Sequence, residues 1–307
     1  MSSIQLCWFR RDLRLHDHAA LFHALTQHKS VQPIFIFDSE ILSELKADDK
    51  RVTFIYLQLQ KMKEICQQHG SDLKIYYGKP IEVFAKIFSS NQVSAVYTNH
   101  DYEPYAIQRD QTIEALCKQH SIQFFSYKDQ VIFEKNEVIK DDGTPYTVYT
   151  PYSKKWKLTL QQEGLPSFPS EKLLHNLHQC PSEMMLSLNE IGFELQENDF
   201  SSMIPDEHLI QHYQETRDYP GIEGTSRLGI HLRFGTLSIR QLTQLALKTN
   251  EKFLNELIWR DFYQAILWHF PQVVQQCFKP KYEDIQWRNH EGEFEAWCNG
   301  LTGYPIV

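Results

Sequence analysis

Short apolar runs and amphipathic stretches alternate along the first 130 residues, and this alternation is the strongest constraint on the fold. The apolar runs predict five buried strands, at residues 4–8, 31–37, 73–77, 95–98 and 123–126. The stretches between them repeat apolar residues at helical spacing and predict four helices, at residues 19–28, 51–69, 81–88 and 105–120. Such alternation is typical of a parallel sheet with helices on both faces, so we predict an α/β domain at residues 1–130.

Two further regions follow this domain. Residues 131–205 read as a connector, because prolines recur there and residues 141–145 (DDGTP) mark a turn; we expect one short helix in it. Helical periodicity dominates from residue 206, notably at 238–249 and 252–270, so residues 206–307 predict an all-helical domain. The chain stops on the apolar residues 305–307, which domains seldom leave exposed, and we therefore expect it to be truncated.

The composition limits the class of protein. With 307 residues and 42% hydrophobic residues, the chain has enough apolar surface for two folded domains. Its six scattered cysteines, without a CxxC pair, fit a reduced cytoplasmic compartment. We expect no signal peptide and no membrane span, because no apolar run approaches 18 residues. The net charge of -8 argues against a general nucleic-acid coat protein, but leaves room for a local basic groove.

Two loops at the predicted sheet edge are candidates for ligand binding, because ligands of parallel sheets bind outside the carboxyl ends of the strands. They are residues 9–12 (FRRD) and 99–103 (NHDYE). The arginines of the first loop form either an exposed basic turn or internal salt bridges and phosphate contacts. The chain has no GxGxxG, P-loop or GxSxG motif and no HExxH pair, so we expect neither a nucleotide site of those types nor a catalytic metal site.

Two segments of the helical region carry candidate binding chemistry. Residues 224–229 (GTSRLG) combine glycines and hydroxyls that suit a phosphate, although an ordinary helix N-cap has the same composition. Glu256, Trp259, Arg260 and Tyr263 recur at i, i+3, i+4 and i+7, on one helix face. That face offers a carboxylate, a stacking ring, a cation and a phenol to a nucleobase-like ligand. The alternative is a solvated Glu256–Arg260 ion pair with Trp259 in the core.

Taken as a set, the motifs resemble those of the photolyase/cryptochrome family. They occur in the family's order: CWFRRDLRLHD at 7–17, YTPY at 149–152, EGTSRL at 223–228, HLRFGTLS at 231–238, FLNELIWRDFY at 253–263, IQW at 285–287, FEAW at 294–297 and GYPIV at 303–307. The pattern is most similar to bacterial class I cyclobutane-pyrimidine-dimer photolyases.

The resemblance implies a Rossmann-like antenna domain, a connector and a helical FAD-binding domain. It implies light-driven repair of cyclobutane pyrimidine dimers in damaged DNA, by electron transfer from reduced FAD, as in a deoxyribodipyrimidine photo-lyase that is monomeric when intact. A cryptochrome-type blue-light photoreceptor and repair of (6-4) photoproducts stay open as alternatives. An electron-transfer flavoprotein-like module is disfavoured by the matches from Thr225 to Tyr263. The family's chain continues beyond GYPIV, so activity is expected of the intact protein rather than of these residues alone.

Residue by residue, the resemblance assigns roles at the flavin and the substrate. Glu256 corresponds to the carboxylate that bonds the dimer, Trp259 to the ring that packs on it, and Arg260 to a cation beside DNA and cofactor. Trp287 corresponds to the outermost tryptophan of the electron-transfer chain. Asp261 replaces the family's usual glutamate, and we expect little effect. The residues that match the flavin site are Tyr213, Thr225, Ser226, Arg227, Leu228, Gly229, Phe253, Arg260 and Tyr263.

An antenna pigment is less sharply indicated. Asn99 and Glu103 resemble part of a contact with a folate antenna, but the other half of that contact is not recognisable between residues 271 and 287. A folate, a deazaflavin, FMN and the absence of any antenna therefore remain open.

Overall fold

The computed structural model describes residues 3–197 and 199–304, and its N-terminal part is built on one parallel sheet. The strands are β1 (Ile4–Phe9), β2 (Val31–Asp38), β3 (Lys74–Gly78), β4 (Val93–Asn99) and β5 (Gln123–Tyr127). Their order is β3-β2-β1-β4-β5, and each neighbouring pair is parallel. The five predicted strands are confirmed, with ends that move by two residues at most. The strand order reverses between β1 and β4, which is where parallel sheets bind ligands.

Helices cover both faces of the sheet, as predicted. They are α1 (Ala19–Gln27), the short α2 (Ser39–Leu42), α3 (Lys50–Gln68), α4 (Pro80–Ser90) and α5 (Pro104–Gln119). The side chains of β1 alternate between two cores: Cys7 and Phe9 pack in the core that contains α1 and α3, and Leu6 and Trp8 pack in the core that contains α4 and α5. A strand buried on both faces needs a continuous apolar run, which explains why the strands are legible in the sequence.

The rest of the chain is helical or irregular among the described residues. Its helices are α6 (Tyr149–Glu163), α7 (Glu207–Gln211), α8 (Tyr213–Thr216), α9 (Gly229–Arg233), α10 (Ile239–Thr249), α11 (Glu251–His269) and α12 (Glu291–Cys298). Four 3₁₀ turns accompany them, at Ser170–Asn176, Asn189–Ile191, Pro271–Val274 and Pro280–Tyr282. The predicted helices at 238–249 and 252–270 are present as α10 and α11.

The connector departs from the expectation of one short helix, because α6 has 15 residues. Tyr152 and Trp156 lie one turn apart and are both buried against the helical core. Pro151 falls in the first turn of α6, where the backbone N–H has no partner inside the helix, so it does not interrupt the helix. The proline at position 151 is therefore compatible with a long helix, although the prolines of this region predict an irregular connector.

The structure divides into two compact units, Met1–His269 and Phe270–Val307. The first unit contains the sheet and α1 to α11, and the second contains two 3₁₀ turns and α12. The apolar end at residues 305–307 lies outside the described residues. Within the described part of the chain, no helix has the length and apolarity that a membrane span requires.

A buried ionic network joins the sheet to α10. Asp129, after β5, accepts hydrogen bonds from Arg14 at 2.7 Å and from Arg240 at 2.9 Å. Asp17 accepts from Arg240 Nε at 2.9 Å and from the hydroxyl of Ser238, the N-cap of α10. Burial alone would raise the pKa of Asp129, but the two guanidinium groups lower it well below its usual value. The two arginines and two aspartates balance in charge inside the protein.

We expect Asp129→Ala to destabilise the fold strongly, because it leaves Arg14 and Arg240 buried without their shared carboxylate. Breaking a buried pair in this way costs about 3–5 kcal/mol. Urea unfolding measures the loss. Asp199→Ala is the control, since Asp199 pairs with Lys50 at an exposed site and its loss should change the stability little. Similar losses in the two variants would contradict the proposed importance of the network.

Candidate functional site

A cavity of about 490 Å³ opens beside α11. Glu256 and Trp259 both line it, as expected for two residues three positions apart on one helix. The cavity is large enough for part of a drug-sized or nucleotide-sized ligand. Its other lining residues are Tyr149, Gln214, Arg217, Asp218, Lys252 and Asn255. We call this space the α11 cavity.

The carboxylate of Glu256 is paired with Arg217, which follows α8. Arg217 Nη1 donates to Glu256 Oε1, and both side chains are about one-third exposed. The hydrogen bond to Glu256 is the main reason that the pKa of Arg217 is raised. The guanidinium also lies 5.3 Å from the ring of Tyr213. The solvated Glu256–Arg260 pair considered from the sequence is thus not formed, because Glu256 has a different cation.

The indole of Trp259 stacks with two tyrosine rings. Tyr149 lies parallel to it, with the ring centroids 3.6 Å apart and the planes at 5°. Tyr263 lies on the next turn of α11, at 5.6 Å and 22°. Trp259 is half-buried and faces the α11 cavity, so it is neither a core residue nor a fully exposed one. A flat ligand in the cavity would meet an aromatic surface.

Arg260 and Tyr263 do not join Glu256 and Trp259 in lining the α11 cavity, which corrects the expectation of one shared four-residue face. Arg260 turns inward and donates to the carbonyl oxygens of Gln130 and, at 3.4 Å, Leu232. Burial lowers the pKa of its guanidinium. Tyr263 is 62% exposed outside the cavity lining. A long side chain follows its hydrogen-bond partners rather than its helical position, and the partners of Arg260 are carbonyl groups in the interior.

Asp261, which we expected to matter little, holds α11 to the segment before α6 and to α6 itself. Its Oδ2 accepts hydrogen bonds from the indole N–H of Trp156 at 3.0 Å and from the backbone N–H groups of Ile132 at 3.0 Å and Phe133 at 3.2 Å. The side chain is fully buried, and Oδ1 has no hydrogen-bond partner. Burial raises the pKa of Asp261 to about 6, despite these three donors and the nearby Arg260.

The segment that matches the flavin diphosphate site is an exposed loop before α9. Thr225 and Arg227 are exposed and Ser226 is half-buried, whereas Leu228 is buried in the helical core. Arg227 has a positive φ of 51° and pairs with Glu223 at 2.7 Å. Gly229 is exposed at the start of α9 and has no close neighbour at its Cβ position. The loop therefore presents hydroxyls to solvent, whereas its cation is paired with a carboxylate.

Contacts through α8 place this loop near the α11 cavity. The hydroxyl of Thr216 donates to the carbonyl oxygen of Gly224 at 3.1 Å, and Gly224 leaves no room for a Cβ against the Thr216 backbone. Thr216 immediately precedes Arg217, which reaches Glu256. Tyr213 packs edge-on against Phe253, with centroids 5.2 Å apart, and Phe253 is buried. Tyr213 and Phe253 are thus in contact with each other, but neither they nor residues 225–229 line the α11 cavity.

Trp287 lies in the second compact unit, in an irregular segment after the turn Pro280–Tyr282. Its side chain is 72% exposed. An exposed indole is accessible to electron donors in solution.

A second cavity of about 490 Å³ lies at the carboxyl ends of β1, β2 and β4. Its apolar wall includes Trp8, Phe35 and Phe37. Two guanidinium groups lie over the ring of Trp8, Arg10 at 4.6 Å and Arg109 at 4.9 Å from its centroid, and the indole N–H has no hydrogen-bond partner. We call this space the sheet-edge cavity; it occupies the position predicted from the topology.

The two residues that resemble a folate contact differ in their access to this cavity. Asn99 is buried, and its amide donates to Asp12 at 2.7 Å and accepts from the N–H of Ala20 at 3.0 Å, so it is committed to internal bonds. Glu103 lines the cavity and accepts from Arg11 and from Arg233, each at 2.7 Å. These arginine contacts help to lower the pKa of Glu103 against the effect of burial. The arginine-rich loop thus forms internal salt bridges, one of its two predicted roles.

Sequence reasoning missed Arg217 and the ring of Tyr149 as parts of the α11 cavity. Arg217 lies one helical turn after Tyr213, which was assigned to the flavin site, and this spacing was the available signal. Tyr149 was noted within the YTPY motif but received no role. Its contact with Trp259 depends on how α6 packs on α11, which one sequence does not show.

We expect Asp261→Asn to remove part of the pH dependence of stability. The folded-state pKa of about 6 exceeds the ordinary value of 3.8, so the folded state holds the proton more tightly than the unfolded state. Stability relative to the variant is therefore greatest below about pH 4 and falls by about 3 kcal/mol as the pH rises past 6. Urea unfolding of both proteins from pH 4 to 8 measures this difference. Parallel pH profiles would exclude Asp261 as the source.

Comparison with known families matches both ends of the chain. Residues 5–171 match the family model described as DNA photolyase, and residues 253–307 match the FAD binding domain of DNA photolyase. The deoxyribodipyrimidine photo-lyase of Synechococcus sp. is 30% identical, in an alignment that covers 100% of this chain and 69% of that protein. This chain thus spans about two thirds of the length of that relative.

Solved structures show the same likeness. The archaeal photolyase from Sulfolobus tokodaii superposes with a TM-score of 0.79 at 26% identity, over 99% of this chain and 68% of that one. A bacterial class III photolyase from Agrobacterium tumefaciens gives a TM-score of 0.81 at 23% identity, over 100% of this chain and 67% of that one, and shows the fold alone. With a family model that matches more than half of its residues, the chain belongs to the DNA photolyase family.

Proposed function

We propose that the protein is a class I deoxyribodipyrimidine photo-lyase, which repairs cyclobutane pyrimidine dimers in DNA in a light-driven reaction. The observation that carries this proposal is that Glu256 and Trp259 line one cavity on α11. A carboxylate beside a stacking ring suits a flipped-out pyrimidine pair, whereas a light sensor without a DNA substrate needs neither. The Synechococcus relative, named deoxyribodipyrimidine photo-lyase, supports the same substrate class.

The described residues fit part of an FAD site. The loop at 225–229 exposes hydroxyl groups to solvent, a donor set that suits a diphosphate. We assign Tyr213 and this loop to the binding of the cofactor in the helical region rather than in the sheet. When bound and reduced, FAD supplies the electron that a photon drives to the dimer.

The residues of the α11 cavity have different roles toward the substrate. Trp259 stacks on the flipped pyrimidines, an interaction worth about 1–3 kcal/mol per base. Glu256 hydrogen-bonds the dimer and matters most as charge develops on it. Arg217 holds the Glu256 carboxylate in place, so the two side chains act as one charge-balanced unit. Trp287, exposed in the second unit, is assigned as the entry point for electrons that reduce the flavin.

We further propose that the sheet-edge cavity holds a flavin-type antenna, FMN or a deazaflavin. Its apolar aromatic wall and flanking arginines suit a flat heterocycle with polar substituents. Because the amide of Asn99 is engaged in internal hydrogen bonds, it is not available to bind a folate. The photolyase from Sulfolobus tokodaii is described with two FAD molecules and the implication of a novel light-harvesting cofactor, which supports the proposal of a second chromophore here.

For the antenna, we expect Ile41→Trp to weaken the binding of FMN or of a deazaflavin. Ile41 lines the sheet-edge cavity at its exposed rim, so the larger ring narrows the entrance. Overpacking by about 1–3 kcal/mol corresponds to a loss of roughly 5- to 150-fold in affinity. Fluorescence titration measures it, with Ile65→Trp as the control, since Ile65 is similarly exposed on α3 but lies outside the cavity. Equal affinities in the two variants would contradict the site.

For repair, we expect Trp259→Ala in the FAD-loaded protein to weaken binding of a duplex that contains one thymine dimer by roughly 5- to 150-fold. Binding of the undamaged duplex rests mainly on phosphate contacts and should change little. Glu256→Gln should mainly lower the repair yield per absorbed photon. Competition binding and single-turnover repair measure these effects.

Trp268→Ala is the matched control for this experiment. Trp268 also lies on α11, but it packs edge-on against Tyr102 with centroids 6.5 Å apart, and it does not line the α11 cavity. If the affinities for damaged and undamaged DNA fell in proportion in Trp259→Ala, the recognition role of the cavity would be wrong. A strong effect on a (6-4) photoproduct alone would redirect the substrate assignment.

A further inference from the structure

Tyr149 contacts α11 at two points one helical turn apart. Its ring covers one face of Trp259, at 3.6 Å and 5°, and its hydroxyl donates to the carbonyl oxygen of Asn255 at 3.0 Å. Tyr149 is the first residue of α6 and is half-buried. Burial and the charge of Glu256 raise the pKa of its phenol to about 12, so the hydroxyl keeps its proton at neutral pH. The ring is therefore fixed in position by both a stack and a hydrogen bond.

This double contact sets the plane of the Trp259 indole before any ligand enters. A parallel ring on one side prevents the indole from turning edge-on into the α11 cavity, and it closes that face to a nucleobase. The ring of Tyr263 lies farther from the indole, with centroids 5.6 Å apart and planes at 22°. Asp261 on α11 stabilises this arrangement. It accepts a hydrogen bond from Trp156 on α6, the helix that also carries Tyr149.

We propose that Tyr149 is a positioning residue that sets the selectivity of Trp259 for a pyrimidine dimer over unmodified bases. This rests on the proposed role of Trp259 in dimer binding. An indole held with one face covered offers a single flat surface to the dimer. An indole free on both sides can rotate and stack with ordinary bases as well, since every base has an aromatic face. Tyr149 thus acts through Trp259 and needs no contact of its own with DNA.

The test compares Tyr149→Leu, Tyr149→Phe, Trp259→Ala and the double variant Tyr149→Leu/Trp259→Ala in the FAD-loaded protein. The measured quantity is the ratio of affinities for a duplex with one thymine dimer and for the same duplex undamaged. We expect Tyr149→Leu to lower this ratio by roughly 3- to 10-fold, the range of an aromatic pair. Tyr149→Phe keeps the ring and should keep the ratio. The double variant should match Trp259→Ala, because Tyr149 acts only through that ring.

Tyr146→Leu serves as the control for the loss of a half-buried tyrosine from the same segment. Tyr146 packs on Tyr152 and does not line the α11 cavity, so it should leave the ratio unchanged. If Trp259→Ala itself leaves the ratio intact, the proposed function fails. If Trp259→Ala lowers the ratio but Tyr149→Leu does not, or if the double variant is worse than Trp259→Ala, only the positioning role of Tyr149 fails. Should Tyr149→Leu not fold, Tyr149→Phe decides: a lowered ratio there contradicts the proposal, and a wild-type ratio supports it.

Discussion

The buried network of Arg14, Asp17, Asp129 and Arg240 is the constraint on which the rest of the first unit depends. It joins the turn after β1, the segment after β5 and the first turn of α10. Buried ion pairs add little net stability compared with apolar packing, but separating them exposes charges inside the protein at high cost. The network therefore limits the arrangements in which α10 can pack beside the sheet. Since α10 packs on α11, the same constraint bears on the position of the α11 cavity.

Helix α11 contributes side chains both to the protein interior and to the α11 cavity. Asp261 binds the segment before α6 and the indole of Trp156, while Glu256 and Trp259 face the cavity. Burial of a carboxylate with one oxygen that accepts no hydrogen bond is unfavourable by itself and raises the pKa of Asp261. The hydrogen bonds of its other oxygen nevertheless hold α6 and the segment before it against α11. The burial of Asp261 thus lowers the stability of the fold, but its hydrogen bonds support the packing that brings Tyr149 onto Trp259.

The two cavities differ in how they are built. The sheet-edge cavity follows from topology, because the strand order reverses between β1 and β4 and the loops there diverge. The α11 cavity follows from side chains on α6, α8 and α11 that meet only after these helices pack. Glu103, in the lining of the sheet-edge cavity, joins the loop after β1 to the end of α9, since it accepts hydrogen bonds from Arg11 and from Arg233. A change in charge at Glu103 therefore affects both the cavity lining and the packing of α9.

Local sequence patterns were enough to predict the strands, most helices and the shared orientation of Glu256 and Trp259. These depend on local periodicity: a strand covered on both faces must be apolar throughout, and residues three apart on a helix point the same way. Four features of the folded chain could not be predicted in this way. They are the length of α6, the inward turn of Arg260, the pairing of Glu256 with Arg217 and the stack of Tyr149 on Trp259. Each of these depends on a partner from a distant segment of the chain. Long side chains adopt the direction in which their charge or ring finds a partner, and a single sequence does not show which segments meet.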